Sequence, residues 1–347
     1  MKQTENALLA KVHVMYSRRL SDDDYRALSG LKGNDEILAY LKANSQYGPH
    51  LKLSPGTKVT PERLESAVKH AELEIFSSLC RMEMFLGESL YRYFIECDEV
   101  EMILYCARYL DTDTIDDLFV RPDFYAKNQS VNGYTLQRAR SFDELYRTLD
   151  NTPYKKRVGP LISHGIENIG LAPLESVLFN FIYENAVKRI EDKIKGKSKD
   201  ELLSYLKLLS DAKTIESIYR SVANYPQSNI YKSRLLVTSV TAFSDKEIQT
   251  LYDANTADEV VDVLKNSVYR KHFEGIDDFE HIDKILNQIL VSVSKQNIRY
   301  SQNPLLCVFS YHTYSEYEVQ NLIHIIEGIK YGLSPDEIDE ILVKGGI

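Results

Sequence analysis

The segment at residues 196–198 reads Gly-Lys-Ser, the ending of a phosphate-binding P-loop. A P-loop wraps phosphates in backbone N–H groups and needs another glycine five residues earlier, directly after a strand. Glu191 occupies that earlier position, within a charged stretch that has helical character. We therefore interpret Gly196 as the end of one helix and Ser198 as the N-cap of the next.

Aspartates cluster at residues 22–24, 111–117 and 277–278. Some all-α enzymes that process diphosphates hold Mg²⁺ with a DDxxD motif on facing helices, so these clusters are candidate metal sites. In a DDxxD motif, the third aspartate follows the adjacent pair by three residues. After Asp23-Asp24 that position holds Ala27, and after Asp277-Asp278 it holds His281. Aspartates are also favoured in first helical turns by the helix dipole alone. An all-α, Mg²⁺-dependent diphosphate enzyme nevertheless stays open as an alternative.

The eight histidines and four cysteines form no recognisable catalytic or zinc-binding motif. There is no HExxH, CxxC, GxSxG or GxGxxG, and the His70-Ala71-Glu72 segment lacks the PCxxC of a zinc deaminase. We expect Cys97 and Cys106 to be buried thiols. The sequence predicts no catalytic residue, no cofactor and no metal.

A run of basic residues between positions 188 and 199 is a candidate interface. Cations at the end of a helix are favoured by its dipole, which is the simpler explanation. The alternative is contact with an acidic partner, and the residues predicted to make it are Lys193, Lys195, Lys197 and Lys199.

The composition indicates a globular protein of 347 residues, with 44% hydrophobic residues and a net charge of −9. A net-acidic chain is a poor candidate for binding nucleic acid or an anionic membrane. No window approaches 18 uninterrupted apolar residues, so we expect no membrane span, and we see no signal peptide. Cysteine usage fits a reducing cytosol.

Helical periodicity dominates the chain. Apolar residues recur every three or four positions from Pro61 to Glu96, which predicts one long helix that begins at Thr60 and Pro61. Residues 234–243 alone have the composition of a strand. Capping boxes, in which Ser or Thr precedes Glu by three residues, predict further helix starts. They lie at Ser141/Glu144, Ser198/Glu201, Ser244/Glu247, Thr256/Glu259, Ser315/Glu318 and Ser334/Glu337. The prediction is an all-α protein.

A pattern of about 110 residues repeats three times. Its template is a leucine, six residues, Asp-Glu, two apolar residues, two residues of any type, a second leucine and, after four or five more residues, a tyrosine. The Asp-Glu pairs lie at 35–36, 143–144 and 258–259, offsets of 108 and 115 residues. A second element follows the same period at Asp98-Glu99 and Tyr317-Glu318, with a looser match at Asp211. We predict three similar helical domains, at residues 1–115, 116–228 and 229–347, around a pseudo-threefold axis.

The C-terminal region resembles the C-subunit family of the V-type (A/V-type) ATPases, whose eukaryotic members are named d. The resemblance rests on residues 303–305 (Asn-Pro-Leu), 318–322 (Glu-Val-Gln-Asn-Leu), Gly328 and the segment from Gly332 to Ile338. Residues 20–41 also resemble the first repeat of that family. The sequence departs from the family at Ser315-Glu316 and Ile323, where the family usually carries basic residues.

The resemblance implies a funnel of three helical domains without catalytic activity. Such a protein sits peripherally at the cytoplasmic face of a bacterial or archaeal membrane, on the rotor ring. It receives the central shaft, formed by the D and F subunits, and transmits torque between ATP turnover and H⁺ or Na⁺ transport. A helical adaptor of another complex is a further alternative.

Overall fold

The computed structural model describes residues 2–53, 56, 58–86, 89–110, 120–163, 171–224 and 239–344. The first α-helices are α1 (Lys2–Tyr16), α2 (Asp22–Ser29), α3 (Asn34–Asn44), α4 (Pro61–Leu86), α5 (Tyr91–Arg108), α6 (Asp123–Asn128), α7 (Gly133–Gln137), α8 (Phe142–Thr148) and α9 (Lys155–Ser163). They are followed by α10 (Leu171–Lys193), α11 (Lys197–Asn224), α12 (Asp245–Asp253), α13 (Ala257–Asn266), α14 (Arg270–Phe273), α15 (Ile282–Tyr300), α16 (Pro304–Tyr331) and α17 (Pro335–Ile341). A 3₁₀ turn spans Gly48–His50.

These elements confirm the all-α prediction for the part of the chain that the structure describes. The strand-like segment divides into two parts: residues 234–238 lie outside the described residues, and residues 239–243 contain bends rather than a strand. No helix among the described residues is long and apolar enough to cross a bilayer.

The chain divides into two compact units. The first comprises Met1–Tyr91, Ile115–Asn128 and Asn287–Ile347, and the second comprises Arg92–Thr114 and Gln129–Leu286. In the first unit, α4 and α16 pack along each other, and α1 packs against both. In the second unit, α10 packs against α9 and α11. The division into three domains around a pseudo-threefold axis stays a prediction.

The prediction of one helix from Pro61 to Glu96 is wrong, because α4 ends at Leu86 and α5 begins at Tyr91. Ser89 has a φ of 61°, in the left-handed region that a right-handed helix does not contain. The fully buried Glu83 carboxylate accepts hydrogen bonds from the N–H groups of Leu90 and Tyr91, at 2.9 and 2.7 Å. The end of α4 therefore caps the start of α5, and the apolar stripe continues across the break.

Most of the predicted capping boxes do begin helices. Ser141, Ser244, Thr256 and Ser334 each accept a hydrogen bond from the N–H group of the glutamate three residues later. The predictions at Ser198 and Ser315 are wrong, since α11 begins one residue before Ser198, and Ser315 lies within α16. A box that the Ser/Thr-Glu pattern misses joins Ser21 to Asp24 at the start of α2.

The repeated template forms three pairs of consecutive short helices: α2 and α3 (the first helix pair), α7 and α8 (the second), and α12 and α13 (the third). The template leucines Leu28, Leu41, Leu136, Leu149, Leu251 and Leu264 are all fully buried. In each pair, the template glutamate accepts a hydrogen bond from the backbone N–H four residues before it. The sequence repeat thus corresponds to a repeated local structure.

Candidate functional site

The four lysines of the candidate interface lie at one corner of the second unit, where α10 turns into α11. Lys193 ends α10, Lys195 lies in the turn, and Lys197 begins α11. These three side chains are exposed, whereas Lys199 is half-buried. Lys197 pairs with Glu201 at 3.4 Å. The corner therefore exposes several lysines next to the exposed acids Glu191, Asp192 and Asp200. Its role as an interface stays a prediction.

The same turn accounts for the P-loop-like residues. Gly196 has a φ of 64°, the left-handed conformation typical of a glycine that ends a helix. The element before it is the helix α10, where a P-loop requires a strand. Arg189, which precedes the turn, is held by a two-pronged ion pair with Glu96 of α5. The segment is an interhelical turn.

The other candidate chemical groups are dispersed. No cluster of three or more His, Cys, Asp or Glu side chains suited to a metal occurs among the described residues. The aspartates between 111 and 117 lie outside those residues, so they stay untested. Cys106 is buried as expected, but Cys97 is only half-buried, which corrects that prediction.

The central polar feature of the fold is a buried contact that occurs three times. In each copy, the template tyrosine that follows a helix pair donates its hydroxyl proton to a buried carboxylate. Tyr47 donates to Glu318 Oε1 at 2.8 Å, Tyr154 to Glu99 Oε2 at 2.6 Å, and Tyr269 to Asp211 Oδ2 at 2.6 Å. All of these side chains are at most 8% exposed.

Each carboxylate also binds the backbone where the same helix pair begins. Glu318 accepts from the N–H of Leu20 at 3.0 Å, Glu99 from that of Val131 at 2.9 Å, and Asp211 from that of Ala242 at 2.8 Å. One acid thus holds both ends of one helix pair. We call these contacts the first, second and third clamps, after the helix pair that each one holds.

The residue before each of these N–H donors brings a side chain to the same carboxylate. It is Arg19 in the first clamp, Ser130 in the second and Thr241 in the third. Arg19 Nη1 lies 2.8 Å from Glu318, and Ser130 Oγ donates to Glu99 at 2.8 Å. Burial raises the pKa of Asp211, and the Thr241 side chain beside the carboxylate acts in the opposite direction. The first clamp alone uses a charged donor.

Burial controls the electrostatics of the clamps. It raises the pKa of Glu99 and of Asp211, although their hydrogen bonds act in the opposite direction. Burial also raises the pKa of Glu318, against the effect of Arg19. Burial and the neighbouring carboxylates raise the pKa values of Tyr47, Tyr154 and Tyr269, so these hydroxyls stay protonated at neutral pH and donate.

Arg19 extends the first clamp into a buried network. Its guanidinium forms a forked ion pair with Glu72 of α4, at 2.9 and 2.7 Å, and donates to the Tyr311 hydroxyl at 2.5 Å. It also lies over the Tyr311 ring, 4.5 Å from the centroid. The Arg19 side chain is 2% exposed and the Glu318 side chain 1%. The network joins α4, α16, the segment between α1 and α2, and Tyr47, which directly precedes the 3₁₀ turn.

Sequence reasoning finds the tyrosines and the acids but not their pairing. The tyrosines belong to the repeated template, and Glu99, Glu318 and Asp211 belong to the second repeated element. Because the tyrosines and the acids repeat with the same period, one of each recurs in every copy, which indicates that they lie close together in space. Arg19 and Glu72 lie outside both patterns, so no repeat could reveal them.

Comparison with known proteins gives a consistent result over nearly the whole chain. Residues 8–341 match the model of the family described as ATP synthase (C/AC39) subunit. The chain is also 22% identical to the C subunit of the A-type ATP synthase of Archaeoglobus fulgidus. That alignment spans 349 positions, 97% of this chain and 95% of the relative.

Proposed function

The chain belongs to the ATP synthase (C/AC39) subunit family, and we propose that it is the rotor connector of an A/V-type ATPase. In this role it links the central shaft, formed by the D and F subunits, to the membrane rotor ring. It passes torque between ATP turnover and the transport of H⁺ or Na⁺. The family match over residues 8–341 is the observation that carries the proposal.

A connector needs stiffness rather than a reaction centre, and the repeated clamps support that requirement. Each clamp replaces the hydration of a buried carboxylate with donors from both ends of one helix pair, which fixes the pair against its supporting helix. Losing one donor leaves a buried acceptor unsatisfied, which is costly. We propose that the protein is non-catalytic and acts by holding its partners in fixed positions.

We further propose that the chain attaches peripherally to the ATPase at the cytoplasmic face of the membrane. A protein with a net charge of −9 needs local basic surface to approach an acidic partner. The exposed corner of Lys193, Lys195 and Lys197, with the adjacent Lys199, supplies such a surface.

The proposal is tested by purification and by coupling. The tagged chain, isolated from detergent-solubilised membranes of its source cell, is expected to recover the D and F subunits together with the ring protein. Complexes reconstituted without the chain should hydrolyse ATP but transport no ions. Recovery of the chain alone, or normal transport in its absence, would contradict the assignment.

The basic corner is tested separately by replacing all four lysines with glutamate. We expect weaker assembly, and a larger defect at low salt, where charge screening is least. The matched control reverses four exposed lysines elsewhere, Lys127, Lys156, Lys246 and Lys271, which gives the same change in net charge. Equal assembly of the two variants would show that the corner is only a solvated helix end.

A further inference from the structure

The three clamps differ in how far apart their partners lie in the sequence. Glu99 precedes Tyr154 by 55 residues, and Asp211 precedes Tyr269 by 58. In the first clamp the order is reversed, and 271 residues separate Tyr47 from Glu318. The first helix pair, near the start of the chain, is therefore held by α16, near its end.

This long separation makes the first clamp different in kind. In the second and third clamps, a short stretch of chain keeps the helix pair close to its acid even when the contact opens. Closing a longer loop costs more conformational entropy, so the first pair depends more strongly on the contact itself. The first clamp is also the one whose donor is charged.

The side chains show how the first clamp compensates for this separation. Arg19 places a buried guanidinium between Glu318 of α16 and Glu72 of α4, with Nη1 at 2.8 Å and 2.9 Å from their oxygens. Ser130 and Thr241, at the corresponding positions, offer only a hydroxyl group. Removing one partner of a buried ion pair leaves an uncompensated charge, so this contact opens only at a large cost.

We propose that Arg19 and Glu318 form a latch that joins the two ends of the chain and opens independently of the other clamps. Opening the latch releases residues 20–47 as one unit, while the second and third helix pairs stay closed. If the proposed function is correct, the latch also bears the load that passes between the first and last segments during rotation.

The first test measures hydrogen–deuterium exchange of the full-length chain by mass spectrometry. Glu318→Gln is expected to raise exchange at least tenfold in residues 22–44 and to leave residues 133–148 and 245–266 unchanged. The matched control, Glu99→Gln, should raise exchange in residues 133–148 instead. Arg19→Lys keeps the positive charge but cannot form the two-pronged ion pair with Glu72. It should therefore give a smaller rise in exchange in residues 22–44. If Glu318→Gln does not fold, the Arg19→Lys variant provides the test.

An increase spread over all three helix pairs, or no increase in residues 22–44, would overturn the latch.

The load-bearing part is tested in the reconstituted ATPase. There, Glu318→Gln should lower the number of ions transported per ATP by at least half, with the chain still bound. Localised exchange with unchanged coupling would overturn that part. Failure of the wild-type chain to join the ATPase would refute the proposed function alone, because the exchange experiment needs no partner.

Discussion

Replacing each clamp tyrosine with phenylalanine removes the hydroxyl that donates to the buried acid, but the expected costs differ. In the second clamp, Glu99 Oε2 accepts from the Tyr154 hydroxyl, whereas the backbone donors and Ser130 Oγ bind Oε1. Tyr154→Phe therefore leaves Oε2 buried without a donor. Loss of a hydrogen bond to a charged, buried acceptor costs about 1.5–3 kcal/mol. The aromatic ring stays, so no cavity forms.

The first clamp provides the matched comparison. Glu318 Oε1 accepts from Tyr47 and also from Arg19 Nη1, at 2.8 Å in both cases. Tyr47→Phe leaves this oxygen with its charged donor. It also removes the hydroxyl that accepts from Arg19 Nη1 at 3.0 Å, but Nη1 keeps both Glu318 and Glu72 as acceptors. We expect the lower cost of an ordinary hydrogen bond, about 0.5–1.5 kcal/mol. In the third clamp, Asp211 Oδ2 keeps the Ala242 N–H, so Tyr269→Phe should lie between the two.

The assay is urea unfolding at 25 °C and pH 7, followed by far-UV circular dichroism, since the chain is helical and has no tryptophan. The free energy of unfolding should fall most for Tyr154→Phe and least for Tyr47→Phe. The Tyr154→Phe deficit should also shrink at pH 5, because burial raises the pKa of Glu99 and a protonated carboxyl no longer needs the donor to stabilise a charge. If Tyr47→Phe costs as much as Tyr154→Phe, the distribution of donors does not determine the stability of the clamps.

Three further predictions rest on other parts of the structure. Leu264→Ala, which truncates a fully buried template leucine, should lower the free energy of unfolding by about 2–5 kcal/mol in the same assay. Burial raises the pKa of Asp211 in the folded state above its value in the unfolded chain, which is about 4. The contribution of Asp211 to stability is therefore full below about pH 4 and is lost as the pH rises through the folded-state pKa. The difference in stability between wild type and Asp211→Asn, measured by thermal unfolding, should therefore narrow from pH 4.5 to pH 7.5. A difference that widens would contradict a raised folded-state pKa of Asp211. Replacing Asp111, Asp113, Asp116 and Asp117 together with Asn should leave ATP hydrolysis and ion transport unchanged, whereas calorimetric Mg²⁺ binding lost in that variant would favour the diphosphate-enzyme alternative.

The sequence predicts those features of the fold that depend on local interactions. Helix starts at Ser244 and Ser334 are foreseen because both partners of each capping box lie within four residues of each other. The break between α4 and α5 is missed because its apolar stripe is continuous, and the cap comes from Glu83 in the preceding helix. Ser315 fails as a helix start because the long apolar register of α16 outweighs a local cap.

The clamps mark the limit of what periodicity can predict. A period shows that Tyr47, Tyr154 and Tyr269 occupy equivalent positions, but it does not say which acid each tyrosine meets. Pairing Tyr47 with the nearer Glu99 would match the template equally well. The structure instead pairs it with Glu318, through contacts that only three-dimensional packing brings together.

The charge on Arg19 gives a physical reason for this choice. Three similar helix pairs and three similar acids could dock in more than one order, so hydrogen bonds common to all clamps cannot select one. A buried guanidinium is tolerated only where carboxylates balance it, and Glu72 stands beside Glu318 in the same unit. Replacing a buried ion pair with apolar residues often leaves stability unchanged, so its value here lies in specificity more than in net stability. We infer that Arg19 and Glu72 direct the first helix pair to α16, and that the network fixes how the two ends of the chain join.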